Sequence, residues 1–137
     1  YGPQVLARIE AGLQFSGVDY LHALQLRPKI VEQFIQNAFA NCDVILAPTF
    51  NVKTPRIDET DIEDGQGFED LISAVSHCTR PFNYLTFPSI SLPTPELINE
   101  MPAAIQLIAP PFCEKTLYRV SGAYEKHTAF SERAPSL

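Results

Sequence analysis

His77 and Cys78 are neighbours whose side chains could serve as base and nucleophile, the combination that cysteine hydrolases use. Their adjacency argues against that use. In an extended segment adjacent side chains point to opposite faces, and the other histidines, His22 and His127, lie far off on predicted helices. A second candidate is the acidic stretch with Asp58, Glu59, Asp61, Glu63 and Asp64. An EF-hand calcium loop needs oxygen ligands at alternate positions and a glycine at the sixth. Counted from Glu59 the first three ligands fit, but Asp64 stands where the glycine belongs, so a solvated acidic loop without metal is expected. Cys42, Cys78 and Cys113 show no zinc-like spacing with the histidines, and each is expected to be a buried, inert thiol. No Gly-x-Ser-x-Gly elbow and no Ser-x-x-Lys pair occurs, and the scattered glycines form no phosphate loop. Lys29, Lys53, Lys115 and Lys126 sit in contexts that read as helix surface or loop. The chain thus holds no complete catalytic set.

Residues 1–40, which would position one side of any site, read as helical. Val5, Ile9 and Leu13 repeat at spacing four, and Gly12 and Gly17 punctuate the end of that helix. Asp19 is the predicted N-cap of a second helix running toward Phe39. Its apolar stripe is Val31, Phe34, Ile35, Ala38 and Phe39, while Pro28 predicts a kink or a break. Asp43 to Thr49 is a short apolar run ended by proline, the pattern of a strand buried on both faces of a parallel or mixed sheet. Residues 51–67 lack apolar periodicity and read as a long surface loop, followed by a short helix over 68–75. Thr79 to Asn83 reads as a turn leading into a short apolar helix. Ser89 to Leu92 and Ala103 to Ile108 are predicted buried strands joined by a proline-rich loop. Residues 114–130 form an amphipathic closing helix, with Leu117, Val120, Tyr124 and Thr128 on one side. Nothing marks a domain boundary, so a single domain over 1–137 is expected: helical over 1–40, strands and loops over 43–108, then the closing helix.

With 137 residues, 45% hydrophobic and 19% charged, the chain is of globular type and long enough to bury a core. It starts at Tyr1 and its one methionine is Met101, so it reads as a piece of a longer chain. The net charge of −6 and the dispersed basic residues argue against a nucleic-acid surface. No apolar run approaches the roughly 18 residues of a membrane span. Three widely spaced cysteines make no disulfide framework and fit a reducing compartment such as the cytoplasm.

Several motifs in order carry a resemblance. They are Asp43-Val44-Ile45-Leu46-Ala47-Pro48-Thr49, Thr79-x-Pro81-x-Asn83, Pro88-Ser89-Ile90-Ser91-x-Pro93, Pro102 with Gln106-Leu107-Ile108, and Phe112 with Glu114. With the Tyr1-Gly2 and Asp19-Tyr20-Leu21 helical patterns before them and Ala123-Tyr124-Glu125 after, the chain resembles the carboxy-terminal portion of amidase signature enzymes. The resemblance implies an α/β fold, a mixed sheet flanked by helices. It implies hydrolysis of carboxamide bonds without metal or organic cofactor. In such enzymes a serine is activated through a cis-serine by a buried lysine, and backbone amides stabilise the oxyanion. Those catalytic residues belong to an earlier glycine- and serine-rich segment that nothing here matches, so this chain alone is expected to be inactive.

The resemblance further implies that the Thr79 to Asn83 turn borders the acyl-binding pocket, with Ser76, His77 and Cys78 leading into it. A small-molecule amide is the implied substrate of the parent enzyme. Amidotransferase members of the family place an aspartate seven residues before the motif asparagine; here that position is Ser76. Pro95, Ala104 and Ala109 stand near positions where the family usually has glycine. The rival reading is a non-catalytic binding or oligomerisation domain derived from that fold. Both readings expect an exposed apolar face and self-association, with no nucleic-acid or membrane partner.

Overall fold

A computed structural model of the chain describes residues 1–60, 65–98 and 101–128. The elements are α1 (Pro3–Ala11), a 3-10 turn (Gly12–Gln14), α2 (Gly17–Ala38), β1 (Ile45–Pro48), α3 (Ile57–Thr60), α4 (Gly65–Ser76), α5 (Arg80–Leu85), β2 (Ser89–Ile98), β3 (Met101–Ile108) and α6 (Glu114–Thr128). The residues expected to extend the closing helix to Phe130, and Asp61, Glu63 and Asp64 of the acidic stretch, lie outside the described residues. Part of that stretch is not loop: α3 carries Asp58 and Glu59 in its first turn, where negative charge suits the helix dipole.

α2 starts one turn earlier than its sequence signal. Ser16, not Asp19, is the N-cap, and Asp19 completes a capping box from the third position. The Ser16 amide and hydroxyl donate to the Asp19 carboxylate at 2.9 and 2.6 Å, and the Asp19 amide donates to Ser16 Oγ at 3.2 Å. These bonds favour the ionised form and hold the Asp19 carboxyl below its ordinary value. The helix also runs through Pro28 without a break. A capping box fixes one end and the apolar stripe anchors the other, which together outweigh the roughly 3 kcal/mol that an interior proline costs.

The sheet has the order β1-β3-β2, and both pairings are antiparallel. The mixed α/β class stands, with antiparallel pairs where the β1 sequence suggested a parallel or mixed neighbourhood. β3 is central and its alternate residues serve two cores. On one face Leu107 packs with Leu92, Ala109 and Leu117 of α6, and the expected α6 residues Val120 and Tyr124 join them. On the other, Ile108 packs with Leu85, Phe87 and the α2 stripe Val31, Phe34, Ile35 and Phe39. Phe34 meets the rings of Phe39, Phe82 and Phe87 edge-on at centroid distances of 5.4–6.2 Å, the geometry that aromatic quadrupoles favour.

β1 departs from expectation. It is an edge strand, and Leu46, opposite Leu107, remains 64% exposed because α6 lies across β2 and β3 instead. The expected proline-rich loop is also absent: Pro93, Pro95 and Pro102 lie within β2 and β3. Proline lacks the ladder donor, so it is tolerated on β2, an edge, and on β3 where β1 no longer reaches. A register shift between Pro93 and Leu97 takes up the mismatch.

The apolar residues of the first two helices are largely uncovered. Ile9, Leu13, Phe15, Val18 and Leu21 are 50–83% exposed. α1 is tied to α4 by an exposed pair, Arg8 Nε to Glu69 Oε1 at 3.4 Å, which contributes little to stability. Among the described residues no helix is long and apolar enough to cross a membrane.

The two leucines facing each other across β1 and β3 separate burial from strand membership. Leu107→Ala is expected to cost about 2–5 kcal/mol, whereas Leu46→Ala should stay within about 0.5 kcal/mol. Denaturant unfolding of both variants checks this; equal losses would contradict the edge assignment.

Candidate functional site

The segment expected to lead into a pocket is the reversal between α4 and α5. Residues 77–79 form a turn, so His77 and Cys78 are not in the extended backbone that their adjacency was weighed against. They still form no nucleophile–base pair, because no hydrogen bond joins their side chains among the described residues. His77 is exposed and Cys78 half-buried. Of the other thiols, Cys113 is half-buried, but Cys42 is exposed and donates to the Ala38 carbonyl at 3.1 Å, contrary to the expectation of burial.

Ser76 closes α4. Its hydroxyl donates to the Ile72 carbonyl at 2.6 Å and accepts from Arg80 Nη2 at 2.8 Å, which binds the end of α4 to the start of α5. The Thr79 amide donates to the Ser76 carbonyl at 3.2 Å, and the Thr79 carbonyl accepts the Asn83 amide at 3.1 Å. Thr79 and Asn83 therefore sit one helical turn apart, on the same side of α5. Both line a cavity of about 730 Å³. Ser76, His77 and Cys78 are not among its lining residues.

The cavity is also lined by residues that motif reading did not place in a site. Phe82, Phe87 and Pro88 supply one apolar side, and Pro111 and Phe112 from the loop before α6 supply another. Gln106 of β3 contributes a polar wall, with Glu114 from the start of α6 as the charged group. Gln106 is only 3% exposed. Its Nε2 donates to the Cys78 carbonyl at 2.8 Å and to the Pro48 carbonyl at 3.1 Å, so both amide hydrogens are used. A glutamine inside the apolar run Ile105 to Ile108 was the available signal, since a buried amide needs partners.

Two rim residues hold a left-handed backbone without being glycine: Thr86 at φ 58° and Phe112 at φ 64°. Thr86 ends α5 in a Schellman arrangement, its amide bonded to the Asn83 carbonyl at 3.2 Å and the Phe87 amide to the Phe82 carbonyl at 3.1 Å. This reversal turns Phe87 inward, where it is 6% exposed, and starts β2 in register. A β-branched residue is strained there, and strain of this kind concentrates at functional sites. Phe112 is 95% exposed, an aromatic ring held out at the mouth.

The arrangement can enclose and orient an apolar group; it supplies no activated nucleophile. Ser89 lines the cavity, but no lysine or histidine accompanies it among the described lining residues. No group of histidine, cysteine or acidic side chains suited to a metal ion occurs among the described residues. A second hollow, of about 560 Å³, runs along α2 beside Leu24, Arg27, Pro28 and Val31 and contains none of the expected site residues.

Helices flanking a three-stranded sheet define an α/β protein, and the comparisons with known proteins agree with that class. The family model described as Amidase matches residues 1–118, and the chain belongs to this family, the amidase signature proteins. A fatty acid amide hydrolase of Medicago truncatula is 31% identical over 88% of this chain and 20% of that protein. A glutamyl-tRNA(Gln) amidotransferase component of Bacillus cytotoxicus is 33% identical over 100% of this chain and 28% of that protein. The chain thus spans about a quarter of the length of these relatives. A crystal structure of an amidase superposes with a TM-score of 0.59 over 80% of this chain and 25% of that one, at 23% identity, which supports the fold.

The strained cap yields a stability test. Thr86→Gly relieves a left-handed β-branched residue and adds unfolded-state freedom, leaving a net gain of about 0.5–1 kcal/mol. Thermal or urea unfolding reads it; a loss of stability would mean that the Thr86 side chain contributes more than its backbone costs.

Proposed function

We propose that the full-length protein hydrolyses a carboxamide C–N bond and that this chain builds the acyl-binding wall of its site. The observation that carries the reading is the cavity lined by Thr79 and Asn83, within a chain whose family match covers 1–118. In the proposed reaction a serine outside this chain attacks the carbonyl carbon. Its proton passes through a cis-serine to the lysine and returns by that route to the leaving nitrogen, so the collapsing tetrahedral intermediate expels a neutral amine as an acyl-enzyme forms. Water then releases the acid. No metal or organic cofactor takes part. The residues here orient the acyl group, so they act on positioning rather than on bond cleavage.

The walls favour a particular acyl class. Phe82, Phe87, Pro88, Pro111 and Phe112 are apolar, and Glu114 is the charged lining group, with no lysine or arginine among the described lining residues to meet a carboxylate. An apolar acyl chain or aryl group fits this lining better than the charged backbone of an amino-acid substrate. Ser76, at the position where amidotransferase members of the family carry aspartate, supports the same preference.

In the full-length protein, Thr79→Val and Asn83→Ala are expected to shift relative kcat/KM between aryl and aliphatic amides by about tenfold while leaving turnover in place. Turnover abolished by either change would place these residues in the chemistry and contradict a wall role. The isolated 137-residue chain should hydrolyse none of these amides above background.

A second reading, a binding or self-associating domain, draws on the uncovered side chains Ile9, Leu13, Phe15, Val18 and Leu21. Light scattering of the isolated chain is expected to show a dimer or larger assembly. A monomer at high concentration would remove the support that this face lends to association.

A further inference from the structure

We infer that Gln106 is a positioning residue for the acyl-binding wall, acting through the Cys78–Thr79 peptide. The inference rests on reading the cavity as the acyl site. Gln106 lies on the central strand, opposite Ala47 of β1 and Ser91 of β2, so its backbone is fixed from both sides. Its side chain reaches residues distant in sequence and holds Pro48, at the end of β1, together with Cys78 in the α4–α5 turn. Two carbonyl partners require the nitrogen of the amide between them, which fixes the orientation of the group.

The consequence runs through one planar peptide. The Cys78 carbonyl and the Thr79 amide belong to the same rigid unit, so holding the carbonyl at 2.8 Å sets the direction of the Thr79 amide toward Ser76. Thr79 then starts α5, and its carbonyl receives the Asn83 amide, so the two lining side chains inherit their placement. An apolar residue at this buried point would pack against the same neighbours but leave the Cys78 and Pro48 carbonyls without this donor. In a low-dielectric interior that loss loosens the turn more than it loosens the core.

The test uses the full-length protein carrying Gln106→Met, which keeps length without a donor, and Gln106→Glu, which keeps shape but places an acceptor against two carbonyls. Leu117→Ala, on the opposite face of the sheet, serves as a control that lowers stability without touching the turn. For a carboxamide with an apolar acyl group, both Gln106 variants are expected to raise KM about tenfold with kcat changed less than about threefold, while the control leaves KM unchanged. Hydrogen exchange of the Thr79 and Asn83 amides should quicken in the Gln106 variants and stay slow in the control, independently of activity. Unchanged exchange at these two amides in either folded Gln106 variant overturns the tie. Faster exchange with unchanged KM overturns the positioning role and detaches the turn from substrate binding. A wild-type protein that cleaves no carboxamide overturns the proposed function, and the exchange measurement still decides whether Gln106 holds the turn. If Gln106→Met does not fold, Gln106→Glu carries both measurements.

Discussion

β3 is the strand on which everything else is registered. It receives hydrogen bonds from β1 on one edge and β2 on the other, and it presents Leu107 to one core and Ile108 to the other. Ile108 is fully buried, so a one-residue slip would exchange its face with that of Leu107 and disrupt both cores together. That same alternation puts Gln106 on the face shared with Ile108, toward α5. The most constrained strand of the sheet therefore also carries the polar group that reaches the cavity.

Around this strand the two faces are built differently. The buried residues on the α6 side are aliphatic, with Leu92, Leu107 and Leu117 in one cluster. The α2 side is aromatic, and its rings from α2 and its cap, from α5, and from the link between α5 and β2 meet edge-on. Rings are stiff and few in torsions, so they fix the angle at which α5 meets the sheet. The α5 angle in turn fixes the cavity, because Thr79, Phe82 and Asn83 all belong to α5 or its cap. Packing energy and site geometry are thus supplied by the same side chains.

The helices at the beginning of the chain present a contrast. α2 is anchored at its far end by Val31, Phe34 and Ile35, while its first turns and α1 carry large apolar residues that no other described part of this chain covers. A capping box keeps α2 helical there without requiring burial. Local hydrogen bonding and tertiary packing therefore stabilise opposite ends of one helix.

The sequence alone located most of the helices and the cores of the strands, because periodicity and capping residues act over a few positions. It missed α3, the continuation of β2 and β3 through their prolines, and the unbroken course of α2 past Pro28. The stripe from Val31 to Phe39 and the face of α6 through Leu117 and Tyr124 were legible in this way. The ordered motifs also carried the resemblance to amidases, and Thr79 and Asn83 of the expected pocket do line a cavity. The tertiary structure alone decided the exposure of Leu46, which depends on where α6 crosses the sheet rather than on the composition of β1. It also decided that prolines could stand inside β2 and β3, since edge positions are a property of strand order. The family resemblance placed Ser76, His77 and Cys78 on the approach to the Thr79 to Asn83 turn; in the structure Thr79 and Asn83 line the cavity and the three residues before Thr79 are not among its lining. Gln106, Thr86 and Phe112 joined the cavity from other elements. The polar residue within the apolar run of β3 signalled that Gln106 needs partners, but which carbonyls it meets, 28 and 58 residues away, was decided only by the tertiary fold. The left-handed backbone of Thr86 and Phe112 is not marked by glycine in the sequence.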